Sequence, residues 1–494
     1  MLGIPYEFYY RWRARGRVGA AVSLHEGTAP PERWMQQIWR HQRLRRMELC
    51  CLDGRRVRVL HPGFWNREPG PDFRDAVLQF GDGGLVTGDV EIDLQPAGWF
   101  GHGHAVNPAY ARVVLQVVWE PGGRTVERAV LPMASFLDCP LDEMAPWLED
   151  EAASRVPPST PGRCCGPLRR QPPDRVIALL EQAARARLER KVAEFRSRGR
   201  TLGWDLVLWE GVFGALGYKH NVWPMRRIAE LLPSVPPGNE VAAWESRLLG
   251  LAGLLPTELP RGPVGQFVRS RWDHWWRERA AWDQAELPAS VWRLAGLRPA
   301  NHPQRRLALA ARWMASGHWV ERVERFFLED PAVRGRLARW VALLTPAGEG
   351  DAGSPDTFWL NHWTLRSRWP AGPLPWIGPS RATDLAINAV LPWLLARATS
   401  GDMAGGDPGR RARLEQCWME WPAGQDNADL RFARRRLWGG VPAGIRWTAA
   451  RQQGLLQVRH DFCLAAGSLC SGCRFPVMVD ALERSEGGSC ATGP

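Results

Sequence analysis

GPDFRDAVLQFGDGGLVTGDVEIDLQPAGWFGHGH, residues 70–104, is the stretch on which the N-terminal fold turns. Side chains alternate across a β-strand, so in DVEIDL (89–94) Asp89, Glu91 and Asp93 share one face while Val90, Ile92 and Leu94 share the other. Three acids on one side of a strand repel each other, and solvent exposure, a metal ion or raised pKa values would relieve the repulsion. Asp72 precedes Glu91 by 19 residues, and the intervening strand and Gly-rich turn return the chain alongside itself, so the two carboxylates can meet. The pair Asp72 and Glu91 at neighbouring strand ends suits a hard divalent cation such as Mg²⁺ or Mn²⁺, with Asp89 on the same strand face as a further candidate metal ligand. His102 and His104 would add imidazoles, which favour Mn²⁺, Zn²⁺ or Fe²⁺ over Mg²⁺. The plainer alternative makes Gly70, Pro71 and Gly88 ordinary turn residues, Asp72 a turn-closing side chain and each histidine a local hydrogen-bonding group.

Working outward, RRVRVL (55–60), DAVLQF (75–80), DVEIDL (89–94) and RVVLQVVW (112–119) read as short strands punctuated by Gly, Pro and Asn. Upstream, Trp34, Ile38 and Trp39 fall at helical spacing, which predicts a helix from Pro31 to about Met47. A helix, then strands, then helices predicts an α/β (α+β) domain with a mixed sheet over residues 1–150. RVPPSTPGRCCGPLRRQPP closes a Pro-rich linker at 151–173. From 174 to 484 the pattern is mainly helical, beginning with a long helix capped by Asp174 and continuing at 205–232, 239–255, 303–316, 318–344 and 381–397. Residues 485–494, EGGSCATGP with its preceding Ser, read as a disordered tail.

The 494 residues suffice for roughly two to four domains. An apolar content of 45% and a charged content of 23% exclude a disordered chain. No apolar run reaches signal-peptide or membrane-span length, which predicts a cytoplasmic protein with no membrane partner. In such a compartment ten cysteines are metal ligands or free thiols rather than a disulfide scaffold. The net charge of +12 is carried by arginine, Lys191 and Lys219 being the only lysines. Arginine suits a nucleic-acid partner. A GC-rich genome explains the same bias equally well.

Two further clusters carry chemistry. Cys463, Cys470 and Cys473 form C-x6-C-x2-C, whose tight turn, helped by Gly472, lets thiolates reach one metal, as zinc or an iron–sulfur cluster. Three ligands leave a tetrahedral site one short, and Cys417, His460 or a remote cysteine such as Cys164 can complete it. LRPANHPQRRLALAARWM (297–314) reads as a turn into a basic helix, with Arg298, Arg305 and Arg306 as candidate phosphate contacts.

The order Pro71-Asp72, a gap, then Glu91-x-Asp93 on an apolar strand after a helix resembles the PD-(D/E)XK nuclease motif. The resemblance implies Asp72 and Glu91 as metal ligands, Glu32 on the first helix as a third acid, and catalytic roles for Asp93, His102 and His104. It also implies nuclease activity on nucleic acid with Mg²⁺ or Mn²⁺. Position 93 is Asp where the motif has Lys, and the N-terminal domain holds no lysine. Gln95, His102 or His104 would have to substitute, or the chain is a non-catalytic nucleic-acid-binding or scaffold protein on a degenerate nuclease fold, or another metal-dependent hydrolase. Some nucleases of this superfamily carry an iron–sulfur cluster on C-terminal cysteines. More of the chain resembles a bacterial family of unknown function, domain family 2851, through GPDF (70–73), GDVEID (88–93, where the family pattern leads one to expect His last), HGH (102–104), LRPANHPQRRLA (297–308), RATDLAINAVLPWL (381–394) and the closing cysteines.

Overall fold

Six strands make one mixed sheet: β1 (Val57–His61), β2 (Phe64–Trp65), β3 (Phe73–Phe80), β4 (Leu85–Asp93), β5 (Val113–Val118) and β6 (Ala129–Pro132), in the order β1-β3-β4-β5-β6 with β2 paired to β3. This is a computed structural model, and it describes residues 7–16, 29–66, 70–122, 128–144, 148, 161–218, 220–235, 238–258, 262–282, 286–295, 297–329, 335–346, 355–367, 374–401, 408–463, 470 and 473–484. Residues 151–160 of the expected linker, Gly472 and the expected tail lie outside the described residues.

The alternation in residues 70–104 folds as a hairpin. β3 and β4 run antiparallel, with Ala76 opposite Gly88 and Gln79 opposite Leu85. β4, β5 and β6 are mutually parallel neighbours, Glu91 opposite Gln116 and Gln116 opposite Val130. A parallel pair needs a crossover. The one leaving β4 is built from the short helix Gly98–Gly101 and two 3₁₀ turns, His104–Val106 and Pro108–Tyr110, so both histidines of HGH sit just beyond the carboxyl end of β4. β2 and β6 are too short to have shown a periodicity.

The helix Glu32–His41 packs on β4 through an apolar stripe in which Met35, Ile38 and Trp39 are fully buried, and Trp39 Nε1 donates to the Pro62 carbonyl at 2.9 Å. It ends before the expected Met47 because Gln42 takes a left-handed conformation (φ 51°) that cannot continue the helix. The expected 205–232 and 318–344 helices are each broken in two, into Trp204–Leu216 with Val222–Leu231 and Trp319–Glu329 with Arg336–Leu344.

The chain forms two compact units, one of Met1–Arg58, Pro62–Glu194 and Gln416–Pro494, the other of Val59–His61 and Phe195–Glu415. The first holds the sheet and a helical core around Leu179, Leu180, Leu455, Val458, Phe462 and Phe475. In that core the helices Pro173–Leu202 and Ala449–Val458 touch through Gly454, where an added Cβ would lie 1.9 Å from the Leu180 carbonyl oxygen. The second unit, apart from the three β1 residues, is helical. At its centre Glu245 is fully buried, with Arg271 at 2.7 Å, Arg312 against its other oxygen and the Trp359 indole donating at 3.0 Å.

Gly454→Ala weighs two effects. Alanine raises helix propensity by about 1 kcal/mol, whereas overpacking against backbone costs up to about 3 kcal/mol. The clash wins, and chemical denaturation of the full chain is expected to show a net loss of about 2 kcal/mol.

Candidate metal centre

β4 changes character along its length: Leu85 to Thr87 are accessible, whereas every residue from Gly88 to Asp93 is buried, because there β3 and β5 flank it on both sides. Its three acids are therefore buried too, at 4% (Asp89), 6% (Glu91) and 1% (Asp93) exposure, and each needs a partner.

Asp89 finds one in the backbone. The register of β3 against β4 shifts between Phe73 and Ala76, Asp75 adopts φ 56°, and the Asp75 amide donates to Asp89 Oδ1 at 3.0 Å. Asp89 Oδ1 thus serves a β-bulge, and Asp89 does not belong to the group of side chains whose ligand atoms lie together. Asp93 accepts from Gln116 Nε2 on β5 at 2.7 Å through one oxygen, and its other oxygen lies 3.1 Å from His102 Nδ1. Gly98 makes room for that carboxylate: a Cβ there would stand 2.6 Å from Asp93 Oδ1.

Glu91 meets Asp72 as the hairpin predicts. The Asp72 amide donates to Glu91 Oε2 at 3.1 Å, and Asp72 in turn accepts from the Ile92 amide at 3.0 Å and from Gln36 Nε2 at 2.9 Å. Gln36 also donates to Glu32 Oε1 at 3.2 Å, so the helix brings a third acid to the pair. Burial and the Glu32 charge push the Asp72 carboxyl well above the usual range, burial and Asp72 do the same to Glu91, and burial followed by Asp93 raises Glu32.

His104 is buried in an aromatic niche, stacked on Tyr110 at 3.9 Å and edge-on to Trp99 at 5.3 Å. Burial lowers its pKa, against the pull of Asp93, so the ring is held neutral, the form that binds metals. Its Nε2 lies 3.1 Å from Glu91 Oε1, yet neither ring nitrogen has an aligned hydrogen-bond partner, and neither does Asp93 Oδ1. Ligand atoms of Asp93, His102 and His104 fall within 4.8 Å of one another, and His102 is 57% exposed, so the group opens to solvent. Buried nitrogens and a carboxylate oxygen that crowd together without hydrogen-bond alignment fit a divalent ion, and a two-histidine, one-carboxylate set is a known donor combination for one.

Of the residues read from sequence, the structure brings together Glu32, Asp72, Glu91, Asp93, His102 and His104. Gln95 is exposed. Arg305 and Arg306 are corrected: both are buried, Arg305 donating to the carbonyls of Trp359, Leu374 and Pro375 and Arg306 to the Trp376 carbonyl and Asn301. A guanidinium spent on backbone oxygens in a core has no face for phosphate. Arg298 is exposed. Reading the sequence missed Gln36, Tyr110 and Gln116. A lone Gln in the apolar run VVLQVV was a usable signal, as was the i, i+4 spacing of Glu32 and Gln36; Tyr110 had none.

The family model described as "Protein of unknown function (DUF2851)" matches residues 32–406, and the chain belongs to that family. No curated protein and no solved structure matches it.

The raised carboxyls yield a stability prediction. Groups whose folded pKa exceeds the unfolded value favour the fold at acid pH, and that contribution is lost as pH rises through the folded values. In chelator-treated protein, Asp72→Asn/Glu91→Gln is therefore expected to melt several degrees above the parent at neutral pH. The gap should close on acidification to below about pH 3, where both carboxyls are protonated in the folded and unfolded states alike. Thermal unfolding at the two pH values checks it.

Proposed function

We propose that this chain is a divalent-metal-dependent hydrolase of phosphodiester bonds in nucleic acid, acting at the carboxyl end of β4 on a PD-(D/E)XK-like core. The observation that carries the reading is the gathering of Asp72, Glu91, Asp93, His102 and His104, whose acids repel one another and whose buried nitrogens lack aligned partners. Asp93, His102 and His104 would hold the ion, with Glu91 beside His104 and Asp72 beside Glu91. A bound divalent ion supplies a more acidic water and stabilises charge on a phosphate oxygen. The remaining work falls to the protein. Gln116 fixes the Asp93 carboxylate, Tyr110 and Trp99 fix the His104 ring, and the Asp72–Glu91 pair, with its raised pKa values, retains a proton near neutral pH for acid–base transfer. The order of Asp72 and Glu91 on a hairpin, with Glu32 on the preceding helix, supports the nuclease-like assignment.

A second reading, a metal-dependent hydrolase acting on another substrate, is favoured by two observations. The donor set is rich in imidazole where the nuclease motif has a lysine, and Arg305 and Arg306 are turned away from any nucleic acid.

Full-length protein stripped of metal and titrated with Mn²⁺ in a calorimeter is expected to bind one ion, with affinity falling at least about 100-fold in His104→Ala and Asp93→Asn. Mn²⁺-dependent cleavage of labelled single- and double-stranded DNA and RNA should accompany it and vanish in Glu91→Gln. Binding without cleavage of any nucleic acid would transfer the case to the second reading, and no binding would end both.

A further inference from the structure

The second compact unit holds a pocket that the proposed metal centre does not use. It measures about 250 Å³ and lies where the helix Val241–Leu251 ends against the helix Gly262–Glu278, with Gly250, Gly253, Trp272, Trp275, Arg279 and Glu286 in its wall. The wall is fixed in place. A Cβ on Gly250 would lie 2.1 Å from the Trp275 indole, and one on Gly253, at φ 61°, 2.0 Å from the Leu287 carbonyl oxygen, so indole and backbone close on the chain as tightly as glycine allows. The Leu287 amide donates to the Leu251 carbonyl at 2.8 Å, and Trp292 Nε1 to the Ala252 carbonyl at 2.7 Å. Trp272 Nε1 donates to the Pro256 carbonyl at 2.7 Å, which holds the edge of that indole and leaves its faces for other contacts.

Three features point to a flat ring as the occupant. The volume falls at the lower edge of small-molecule sites, which run from about 300 to about 1,000 Å³, and suits one ring system rather than an extended ligand. The aromatic surface also continues outside the pocket. Trp276, one turn beyond Trp272, sets its ring 5.0 Å from that of Trp272, and the Arg279 guanidinium lies 4.9 Å from the Trp276 ring centre. Trp276 is 52% exposed, the one exposed tryptophan among the described residues. An indole pair under a guanidinium and open to water is a stacking surface, not core. Finally, the polar groups of the wall set a donor beside an acceptor. Arg279 Nε reaches Glu286 Oε2 at only 3.4 Å, which leaves most of the hydrogen-bonding capacity of both groups for a third partner, and Thr257 adds a hydroxyl at the exposed rim. A lipid chain would gain nothing from that pair, and Arg279 opposes a cationic ligand. A nucleobase matches it, with two faces for the indole and an edge of mixed donors and acceptors.

The same helix supplies charge for a phosphate backbone. Arg269, Trp272 and Trp276 follow at i, i+3 and i+7 on one face, and Arg277 is exposed nearby. Of the acids between Arg269 and Arg279, Glu278 is engaged by Arg247 at 2.7 Å, leaving Asp273.

We propose that this pocket binds an unpaired nucleobase of a single strand, with Trp272 and Trp276 as the stacking platform and Arg279 and Glu286 reading the base edge. As a statement of substrate class, single-stranded nucleic acid, it rests on the hydrolase reading; as a binding site it needs no metal. A duplex is excluded, because stacking covers the faces of its bases and pairing covers their edges.

Full-length protein in chelator, titrated into short labelled single strands of DNA and RNA and into the matching duplexes, is read by fluorescence anisotropy. The single strands are expected to bind tighter, and Trp272→Ala to weaken them about 10-fold or more while leaving duplex binding unchanged. Equal binding of strand and duplex, strand affinity unchanged in both Trp272→Ala and Trp276→Ala, or free nucleotides competing as well as the strand would overturn the proposal. Should Trp272→Ala fail to fold, photocross-linking of the wild type to a bromouracil-containing strand decides. Adducts on the peptides that carry Trp272 or Trp276 support the site, and adducts confined to other peptides overturn it. Strand binding that depends on Trp272 without Mn²⁺-dependent cleavage upholds this site and ends the nuclease reading. Cleavage by a Trp272→Ala protein that binds the strand like the parent does the reverse.

Discussion

Three carboxylates that cannot reach water, in the last five residues of one central strand, set the terms for everything around them. A buried acid must be hydrogen-bonded, neutralised or protonated. The three are served unequally. Asp89 takes a backbone amide at a bulge and is spent on the fold. Asp93 takes Gln116 through one oxygen and leaves the other facing His102. Glu91 is held against Asp72, with His104 close but unaligned. The three acids thus pass from structural satisfaction to electrostatic tension, and the tension is greatest where the parallel crossover opens the sheet to solvent.

That crossover explains why the histidines belong to the same site. A hairpin partner for β4 on both sides would have returned the chain at once and kept HGH away. Because β5 is parallel to β4, the intervening chain must travel back along the sheet, and its first turns, Gly98–Gly101 and His104–Val106, cover the carboxyl end of the strand. Gly98 permits the close approach to Asp93, and Trp99, with the Arg128 guanidinium 3.5 Å over its ring, floors the niche that His104 enters.

Much of this was legible in the sequence, for physical reasons. Period-two alternation exposed the shared face of Glu91 and Asp93, and the length of the intervening strand and turn brought Asp72 to Glu91. Periodicity cannot report a bulge, so Asp89 looked equivalent to its neighbours. Nor could it separate an arginine that faces solvent from one that a fold uses internally. Arg305 and Arg306 read as a basic helix face, but the loop around Leu374–Trp376 brings carbonyls that need donors, and the guanidinium fork meets that need from inside the core. Likewise, sequence left a fourth ligand for the C-terminal cysteines open among Cys417, His460 and a remote cysteine such as Cys164. Only the tertiary arrangement places Cys164 and Arg436 around the same glycine, Gly162.

The aspartate at position 93 carries the last step. A lysine there would bring a cation to Glu32, Asp72 and Glu91, offsetting part of their repulsion. Aspartate adds a fourth acid instead, and the repulsion extends outward: Asp93 raises Glu32, Asp72 and Glu91 alike. Arg128, whose charge is felt at His104, is already bonded to the Val113 carbonyl and laid on Trp99. His104 is kept neutral by burial and brings no compensating charge. In the function proposed above, a site with this balance takes positive charge from outside the chain, held by neutral nitrogens and shared carboxylate oxygens. On the proposed reading, the departure from the lysine motif thus makes a bound divalent cation more necessary to the site's electrostatics.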